Sequence, residues 1–356
     1  MTKLQDRSPA GELTLKDFGW SSHFEAQIDD AERAAAEPVR VMAVHRDALE
    51  VVGPGFDGRV APLGGEEEVQ ATTGDWVLID DARRVLRVLE RRSIFKRKSA
   101  GTGRRVQLIA ANVDTLLVVT SANQDFNPAR LERFLALAAE AQVTPVVVIT
   151  KADLVDDVAP YVAEARRSMP GLIVEAFDAR DARATAILAP WIGRGQTLAL
   201  VGSSGVGKST IVNSLSGATV QDTQGIREDD ARGRHTTTGR SLHRLAGGAW
   251  LMDTPGMREL QIVDVATGLE DVFADVAALA GACRFSDCGH ASEPGCAVQE
   301  AIAAGEIDPT RLKRFQKLQR EEARNSETLA EAHARNQRFG RMAKRTFAHK
   351  QKLREW

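Results

Sequence analysis

Two patterns of hydrophobic and polar positions divide the chain. Between residues 38 and 100, short runs of β-forming residues (39–44, 48–52, 74–79 and 85–89) alternate with turn sequences such as Gly53-Pro54-Gly55. Several short strands at this spacing predict a small β-barrel, and the OB-fold is the commonest nucleic-acid-binding version of such a barrel. We therefore predict an OB-like RNA-binding β-barrel over residues 38–100.

The second pattern covers residues 101–270, where apolar strands alternate with stretches of helical periodicity. Strands are predicted at 113–120, 144–150, 197–201 and 249–253, and Asn127 followed by Pro128 marks the start of a helix. Because these strands lack a polar face, they are typical of a parallel sheet that is covered by helices on both sides. The pattern predicts a central α/β domain.

The two ends of the chain differ from both patterns. Residues 1–37 form a predicted N-terminal extension with candidate anchors at Phe18, Trp20 and Phe24. Residues 271–356 turn helical and end in a long charged tail. A chain of 356 residues is too long for one core, so its length also favours a multidomain protein.

The most informative motif lies between the predicted strand 197–201 and a predicted helix that follows it. It fits G-x-x-x-x-G-K-[ST], in which glycines let successive backbone N–H groups point at phosphate oxygens. The lysine reaches the β- and γ-phosphates, and the serine hydroxyl binds Mg²⁺ at a helix N-terminus. We predict a nucleoside triphosphate site made of Gly202, Ser203, Ser204, Gly205, Val206, Gly207, Lys208, Ser209 and Thr210.

Two further motifs fit the γ-phosphate side of this site. Asp253 and Gly256 form a D-x-x-G after an apolar strand, where the Asp would hold Mg²⁺ through a water and the Gly N–H would meet the γ-phosphate. Three threonines follow His235, and we assign the central one, Thr237, as the switch ligand of Mg²⁺, with its neighbours as alternatives. Met257 cannot orient the attacking water as a Gln would, so His235 is the catalytic candidate. The alternative is that His235 only packs or contacts RNA.

A base-recognition motif follows the strand 144–150. Asp153 can accept hydrogen bonds from the N1–H and amino group of guanine, and the stem of Lys151 can lie along the base. Thr150 replaces the usual Asn of N-K-x-D. This motif precedes the phosphate loop, the reverse of ordinary GTPases, which indicates a circularly permuted P-loop GTPase domain.

Three cysteines and a histidine predict a metal site near the C-terminus. They lie within fourteen residues, which favours a metal over disulfides. Three thiolates and an imidazole make a closed tetrahedral Zn²⁺ site with no open position for catalysis, so we expect one structural zinc ion. The predicted ligands are Cys283, Cys288, His290 and Cys296.

Charge is distributed unevenly although the net charge is only −2. Residues 83–98 and 335–356 each carry +7, and we interpret both islands as phosphate contacts, with solvated basic faces as the alternative. The sequence starts without the apolar run of a signal peptide, and no stretch reaches the length of a membrane span. We expect a cytoplasmic protein with no membrane contact.

A permuted GTPase between a β-barrel and a Cys/His cluster resembles the ribosome small subunit-dependent GTPase A family (RsgA, also called YjeQ). Besides the motifs above, the resemblance rests on G-D-W-V at 74–77 and Q-L-I-A-A-N-V-D at 107–114. It implies hydrolysis of GTP to GDP, stimulated by the small (30S) ribosomal subunit, in late maturation of that subunit. We also expect a monomer, and we expect the two basic islands to contact rRNA. The resemblance also supports the catalytic role of His235. Thr150 and a degenerate base loop near Glu175-Ala176-Phe177 depart from the family pattern.

Two other functions fit part of these motifs. An ATP-using P-loop kinase or ATPase would share the phosphate loop but would have no use for Asp153. A zinc-stabilised RNA-binding module would hold its nucleotide as a structural element only. Nucleotide preference and turnover separate these functions.

Overall fold

The computed structural model describes residues 13–63, 70–98, 106–216, 241–253 and 264–326. The N-terminal segment contains a 3₁₀ turn, Leu15–Phe18, and two short helices, α1 Ser22–Glu25 and α2 Asp30–Ala35. The predicted aromatic anchors pack into the molecule, because Phe18 and Phe24 are at most 2% exposed. Phe18 stacks on Trp250, and Phe24 and Trp20 both contact Trp76. This segment is therefore docked against the rest of the chain.

Five antiparallel strands follow and form a sheet in the order β3-β2-β1-β4-β5. They are β1 Glu37–Val44, β2 Leu49–Gly53, β3 Phe56–Val60, β4 Trp76–Ile79 and β5 Val85–Val88. The sheet has a cluster of its own made of buried aliphatic side chains such as Val41, Leu49 and Val77. Among the described residues no ladder joins β3 to β5, so closure of these five strands as an OB-like barrel stays a prediction. Strand β1 also pairs with the strand Ser241–Arg244, which makes these strands continuous with the central sheet.

The central unit is a twisted α/β sheet with the order β10-β9-β8-β11-β13-β12, in which only β12 is antiparallel. A separate hairpin, β6 Ile94–Lys98 with β7 Val106–Ala111, precedes it. The predicted parallel strands are present, with helices between them. The elements are β8 Thr115–Ser121, α3 Pro128–Glu140, β9 Thr144–Thr150, α4 Ala159–Arg166, β10 Ile173–Ala176, α5 Arg183–Leu188, β11 Thr197–Val201, α6 Lys208–Ser216, β12 Ser241–Arg244 and β13 Trp250–Asp253.

Four C-terminal helices pack on the α/β unit, and they share its core. They are α7 Ala266–Val272, α8 Ala274–Ala280, α9 Ala297–Ala303 and α10 Pro309–Ser326. Phe273 and Phe315 lie in the same hydrophobic cluster as Phe134 of α3. The predicted domain boundary after residue 270 falls within α7. In the part of the chain that the structure describes, no helix is long and apolar enough to span a bilayer.

Candidate nucleotide and metal sites

The predicted phosphate loop connects β11 to α6, as the motif requires. Gly202, Gly205 and Gly207 have φ angles of 145°, 76° and 99°, a region that residues with a Cβ rarely adopt. A Cβ on Gly202 would also lie 2.2 Å from the carbonyl oxygen of Val119, so the loop can pass this strand only with glycine. The glycine spacing in the sequence therefore reflects a steric requirement of the loop.

Lys208 begins α6 and folds back over the loop. Its Nζ donates to the carbonyl oxygens of Gly202 (2.9 Å) and Ser203 (2.5 Å). These bonds hold the ammonium group over the cradle in which the loop N–H groups would bind phosphate. Ser209 and Thr210 follow in the first turn of α6, at the helix end that favours anions.

The base motif lies beside the phosphate loop because β9 ends at Thr150. The Thr150 side chain is buried, and its Oγ1 lies 3.0 Å from the carbonyl oxygen of Thr120 and 2.5 Å from that of Val206 in the phosphate loop. The single hydroxyl proton can serve one of these acceptors at a time. Lys151 follows with a φ of 57°, and Asp153 lies in a 3₁₀ turn, Ala152–Leu154. Thr150 thus joins the base-recognition motif to the phosphate loop.

Arg180 binds a residue of the base-recognition motif, a contact that the sequence motifs did not predict. Its Nη2 donates to Asp153 Oδ2 at 2.7 Å, and its guanidinium also binds Asp178. Hydrogen bonds from Arg180 lower the pKa of Asp178. The base loop that we predicted near residues 175–177 was placed too early, because residues 175 and 176 belong to strand β10 and Phe177 is buried. The loop that contacts Asp153 starts at Asp178, and its signal in the sequence was the Asp-Ala-Arg at 178–180, one residue beyond the end of β10.

The γ-phosphate side of the site is described only in part. Asp253 is the last residue of β13, and the parallel register pairs Met252 with Ala199 on β11. Asp253 therefore lies at the edge of the sheet where β11 enters the phosphate loop. The predicted residues His235, Thr237 and Gly256 lie outside the described residues.

The four predicted metal ligands converge in one place. Cys283 Sγ lies 3.6 Å from His290 Nδ1 and 3.9 Å from Cys296 Sγ, and the last two atoms are 3.5 Å apart. The Cys288 thiol completes a group whose atoms all lie within 4.8 Å of one another. A tetrahedral Zn²⁺ with bonds of about 2.0–2.3 Å would separate its ligand atoms by about 3.3–3.8 Å, so the donor set fits this ion.

The start of α9 favours a thiolate in this group. Burial opposes ionisation of Cys283, but backbone N–H groups of Val298 and Ala297 hydrogen-bond its sulfur and lower the pKa of the thiol. His290 has a φ of 56°, and Gln299 donates to its carbonyl oxygen at 2.5 Å. The loop is thus shaped by its own helix to present sulfur and nitrogen donors.

The first basic island is largely neutralised within the protein. Six of its cations make ion pairs with carboxylates, and three of these carboxylates lie in segments outside the antiparallel sheet. This arrangement leaves fewer free cations for phosphate contacts than the sequence predicts. The second island, 335–356, lies outside the described residues. The pairs are Arg83–Glu37, Arg84–Asp80, Arg87–Glu32, Arg91–Asp75, Arg92–Asp114 and Lys96–Asp264.

The sequence and fold match one family. A family model described as RsgA GTPase matches residues 88–263. The protein of Vibrio parahaemolyticus named small ribosomal subunit biogenesis GTPase RsgA 2 is 46% identical over 340 residues, which cover 95% of this chain and 94% of that protein. The chain belongs to the RsgA GTPase family. A Mesorhizobium japonicum protein named small ribosomal subunit biogenesis GTPase RsgA is 48% identical over 334 residues, 91% of this chain and 94% of that protein.

Solved structures of RsgA-like proteins share the fold. YjeQ from Thermotoga maritima matches with a TM-score of 0.58 at 24% identity over 80% of this chain and 97% of that one. YloQ, described as a circularly permuted GTPase, matches with a TM-score of 0.57 at 23% identity over 82% of this chain and 97% of that one. The predicted permuted GTPase fold is therefore confirmed. As a member of the RsgA family, this chain is a GTP-hydrolysing enzyme.

Proposed function

We propose that this RsgA-family GTPase acts in late maturation of the small (30S) ribosomal subunit, binds its rRNA, and hydrolyses GTP faster when bound to it. The observation that carries the proposal is 46–48% identity over more than nine-tenths of the chain to proteins named for small ribosomal subunit biogenesis. We further propose a cytoplasmic monomer.

The nucleotide chemistry follows from the loop geometry. The N–H groups of residues 202–210 would bind the phosphates, Lys208 would contact the β- and γ-phosphates, and Asp153 would pair with guanine. Ser209, Thr237 and Asp253 are the residues that would hold Mg²⁺, which neutralises charge on the phosphates when bound. We assign His235 to orient the attacking water, in the place of the Gln that this chain lacks.

We propose that the regions on either side of the GTPase domain bind rRNA, namely the antiparallel strands β1–β5 and the C-terminal region with its Cys/His cluster and basic tail. The five-stranded sheet is consistent in strand count with an OB-fold, and the donor spacing of the Cys/His cluster supports one structural Zn²⁺. Since the first basic island is mostly ion-paired, the second island (335–356) becomes the stronger candidate for phosphate contacts. Binding should weaken steeply with added salt, because counterion release governs phosphate contacts.

Turnover measured with and without small subunits is the test of this function. We expect slow hydrolysis alone and a large acceleration with the subunit, and His235→Ala should lose that acceleration. Unchanged turnover with subunits would reject the proposed role, and no GTP turnover under either condition would favour a zinc-stabilised RNA-binding module with a structural nucleotide.

Base preference has its own test. The Asp153 carboxylate can accept hydrogen bonds from the N1–H and amino group of guanine, whereas adenine presents an acceptor at N1, so Asp153→Asn should shift binding from guanosine towards xanthosine nucleotides. Tighter binding of ATP than GTP by the unmodified protein would instead support an ATP-using enzyme.

A further inference from the structure

Arg130 is an exposed arginine in the first turn of α3 that reaches the phosphate loop. Its Nη1 donates to the hydroxyl of Ser203, the second residue of that loop. Asn127 caps α3 by accepting a hydrogen bond from the Arg130 N–H at 3.2 Å, which fixes the backbone from which the side chain extends. Strands β8 and β11 are parallel neighbours, so α3 and the phosphate loop begin at the same edge of the sheet.

Arg130 differs from neighbouring arginines in its charge partners among the residues that the structure describes. Arg133 pairs with Glu321 and Arg180 with two aspartates, whereas within the described residues the structure gives Arg130 no carboxylate partner. A guanidinium has five N–H donors, and the contact with Ser203 uses one of them. Within the described part of the chain, Arg130 therefore presents further N–H donors and a positive charge that no carboxylate balances, beside a loop built to bind phosphate.

We propose that Arg130 is a second cation of the phosphate site, supplied by the chain itself, which binds the γ-phosphate of GTP. This inference rests on GTP hydrolysis by the chain. A planar guanidinium can bind two phosphate oxygens at once, which the Lys208 ammonium cannot do. Lys208 contacts the carbonyl oxygen of Ser203 from α6, and Arg130 contacts the hydroxyl of the same residue from α3.

The reaction shows where such a cation acts. The water oxygen forms a bond to the γ-phosphorus, and the bond from phosphorus to the bridging oxygen breaks with its electron pair left on GDP. The balance is GTP⁴⁻ and H₂O giving GDP³⁻, HPO₄²⁻ and H⁺. Arg130 stays protonated throughout and stabilises the charge on the transferred group. Arginines that do this in other GTPases accelerate hydrolysis by about 10³–10⁵-fold.

Single-turnover hydrolysis of GTP by the full chain without ribosomal subunits tests the inference. We expect Arg130→Ala to slow hydrolysis at least about 10-fold and to weaken binding of a non-hydrolysable GTP analogue more than binding of GDP. Arg130→Lys keeps the charge but loses the planar fork, so its hydrolysis rate should lie between those of the unmodified chain and Arg130→Ala. Arg167→Ala is the matched control, because Arg167 is an exposed arginine at the end of α4 that pairs with Glu164.

The outcomes separate this inference from the activity on which it rests. If the unmodified chain does not hydrolyse GTP, the assigned activity fails. If it does and Arg130→Ala hydrolyses within twofold of it, the inference on Arg130 is overturned. Equal loss of affinity for GDP and for the GTP analogue would also overturn it, because Arg130 would then only support the loop through Ser203.

Discussion

At the scale of single residues, one hydroxyl group connects the two ends of the nucleotide site. Thr150 ends β9, and its side chain is in hydrogen-bond contact with the carbonyl oxygen of Val206. An Asn at this position would offer an amide, but the shorter threonine reaches the loop because Gly207 comes close: a Cβ on Gly207 would lie 3.3 Å from Thr150 Oγ1. The threonine that replaces the Asn of N-K-x-D therefore retains a link between the base-recognition motif and the phosphate loop.

Replacing the hydroxyl by a methyl group tests this link. Thr150→Val keeps the volume of the buried side chain but leaves the carbonyl oxygens of Thr120 and Val206 without this donor, at a cost of about 1–3 kcal/mol. We expect lower stability in urea unfolding and weaker binding of both GTP and GDP, measured by titration. Thr150→Ser, which retains the hydroxyl, is the control. Unaltered nucleotide affinity in Thr150→Val would contradict the role assigned to the bond.

At the scale of elements, α7 attaches to the α/β unit by direct backbone contact with α3. A Cβ placed on Gly268 would lie 2.1 Å from the carbonyl oxygen of Ala136 and 2.8 Å from the backbone nitrogen of Glu140. The Gly268 N–H also donates to the Glu140 carboxylate at 3.0 Å. Because the obstructing atoms belong to a helix backbone, they cannot move aside as a flexible side chain could.

A single methyl group should therefore separate these helices. We expect Gly268→Ala to destabilise the protein by about 1–3 kcal/mol or more, as overpacking does, although alanine favours helices. Gly281→Ala at the end of α8 is the matched control, since its nearest atom would be 3.5 Å away, an ordinary contact. Thermal unfolding of both variants measures the difference. A Gly268→Ala protein as stable as the control variant would show that α7 can shift without cost.

The sequence predicted those elements whose environment is uniform along their length. The strands β9 and β11 coincide with the predicted 144–150 and 197–201, because most positions on both faces of each are buried and most of their residues are apolar. Strand β12 (Ser-Leu-His-Arg) was missed because a strand of four residues with one apolar position has no such run. The pairing of Arg91 with Asp75 and of Lys96 with Asp264 was also missed, since it depends on which distant segments the fold brings together.

At the scale of the molecule, buried ion pairs join the C-terminal helices to the α/β unit. Glu132 of α3 is fully buried and accepts hydrogen bonds from Arg311 (3.2 Å) and Arg314 (2.8 Å) of α10. Arg311 also binds Asp275 of α8 at 2.6 Å. Burial raises the pKa of Glu132, and the two arginines oppose this shift. Three helices from two units thus meet at the Arg311 guanidinium, which binds both Glu132 and Asp275.

Removing the Glu132 carboxylate should destabilise the protein more than removing the partly exposed carboxylate of Glu321. We expect Glu132→Ala to cost about 3–5 kcal/mol in urea unfolding, because two largely buried arginines lose a partner. Glu321→Ala breaks the pair with Arg133 between the same helices, where both side chains are more than one quarter exposed, and should cost about 1 kcal/mol or less. Similar losses in the two variants would show that the buried pairs do not hold the units together.

The loop that carries the four predicted metal ligands (residues 283–296, the metal loop) is expected to stabilise the C-terminal helices without taking part in nucleotide binding. The C-terminal helices hold this loop, since Gln316 of α10 donates to the Gly289 carbonyl oxygen and Gln299 of α9 donates to that of His290. Elemental analysis of the purified chain should find one zinc per molecule. Cys296→Ser or chelation should then lower the unfolding temperature, because Cys296 is a buried ligand that directly precedes α9. Cys283 and Cys288 are half-buried, so their serine variants should lose zinc with a smaller loss of packing. GTP affinity should stay the same in all three variants, and a parallel loss of GTP binding would show that the metal loop also shapes the phosphate site.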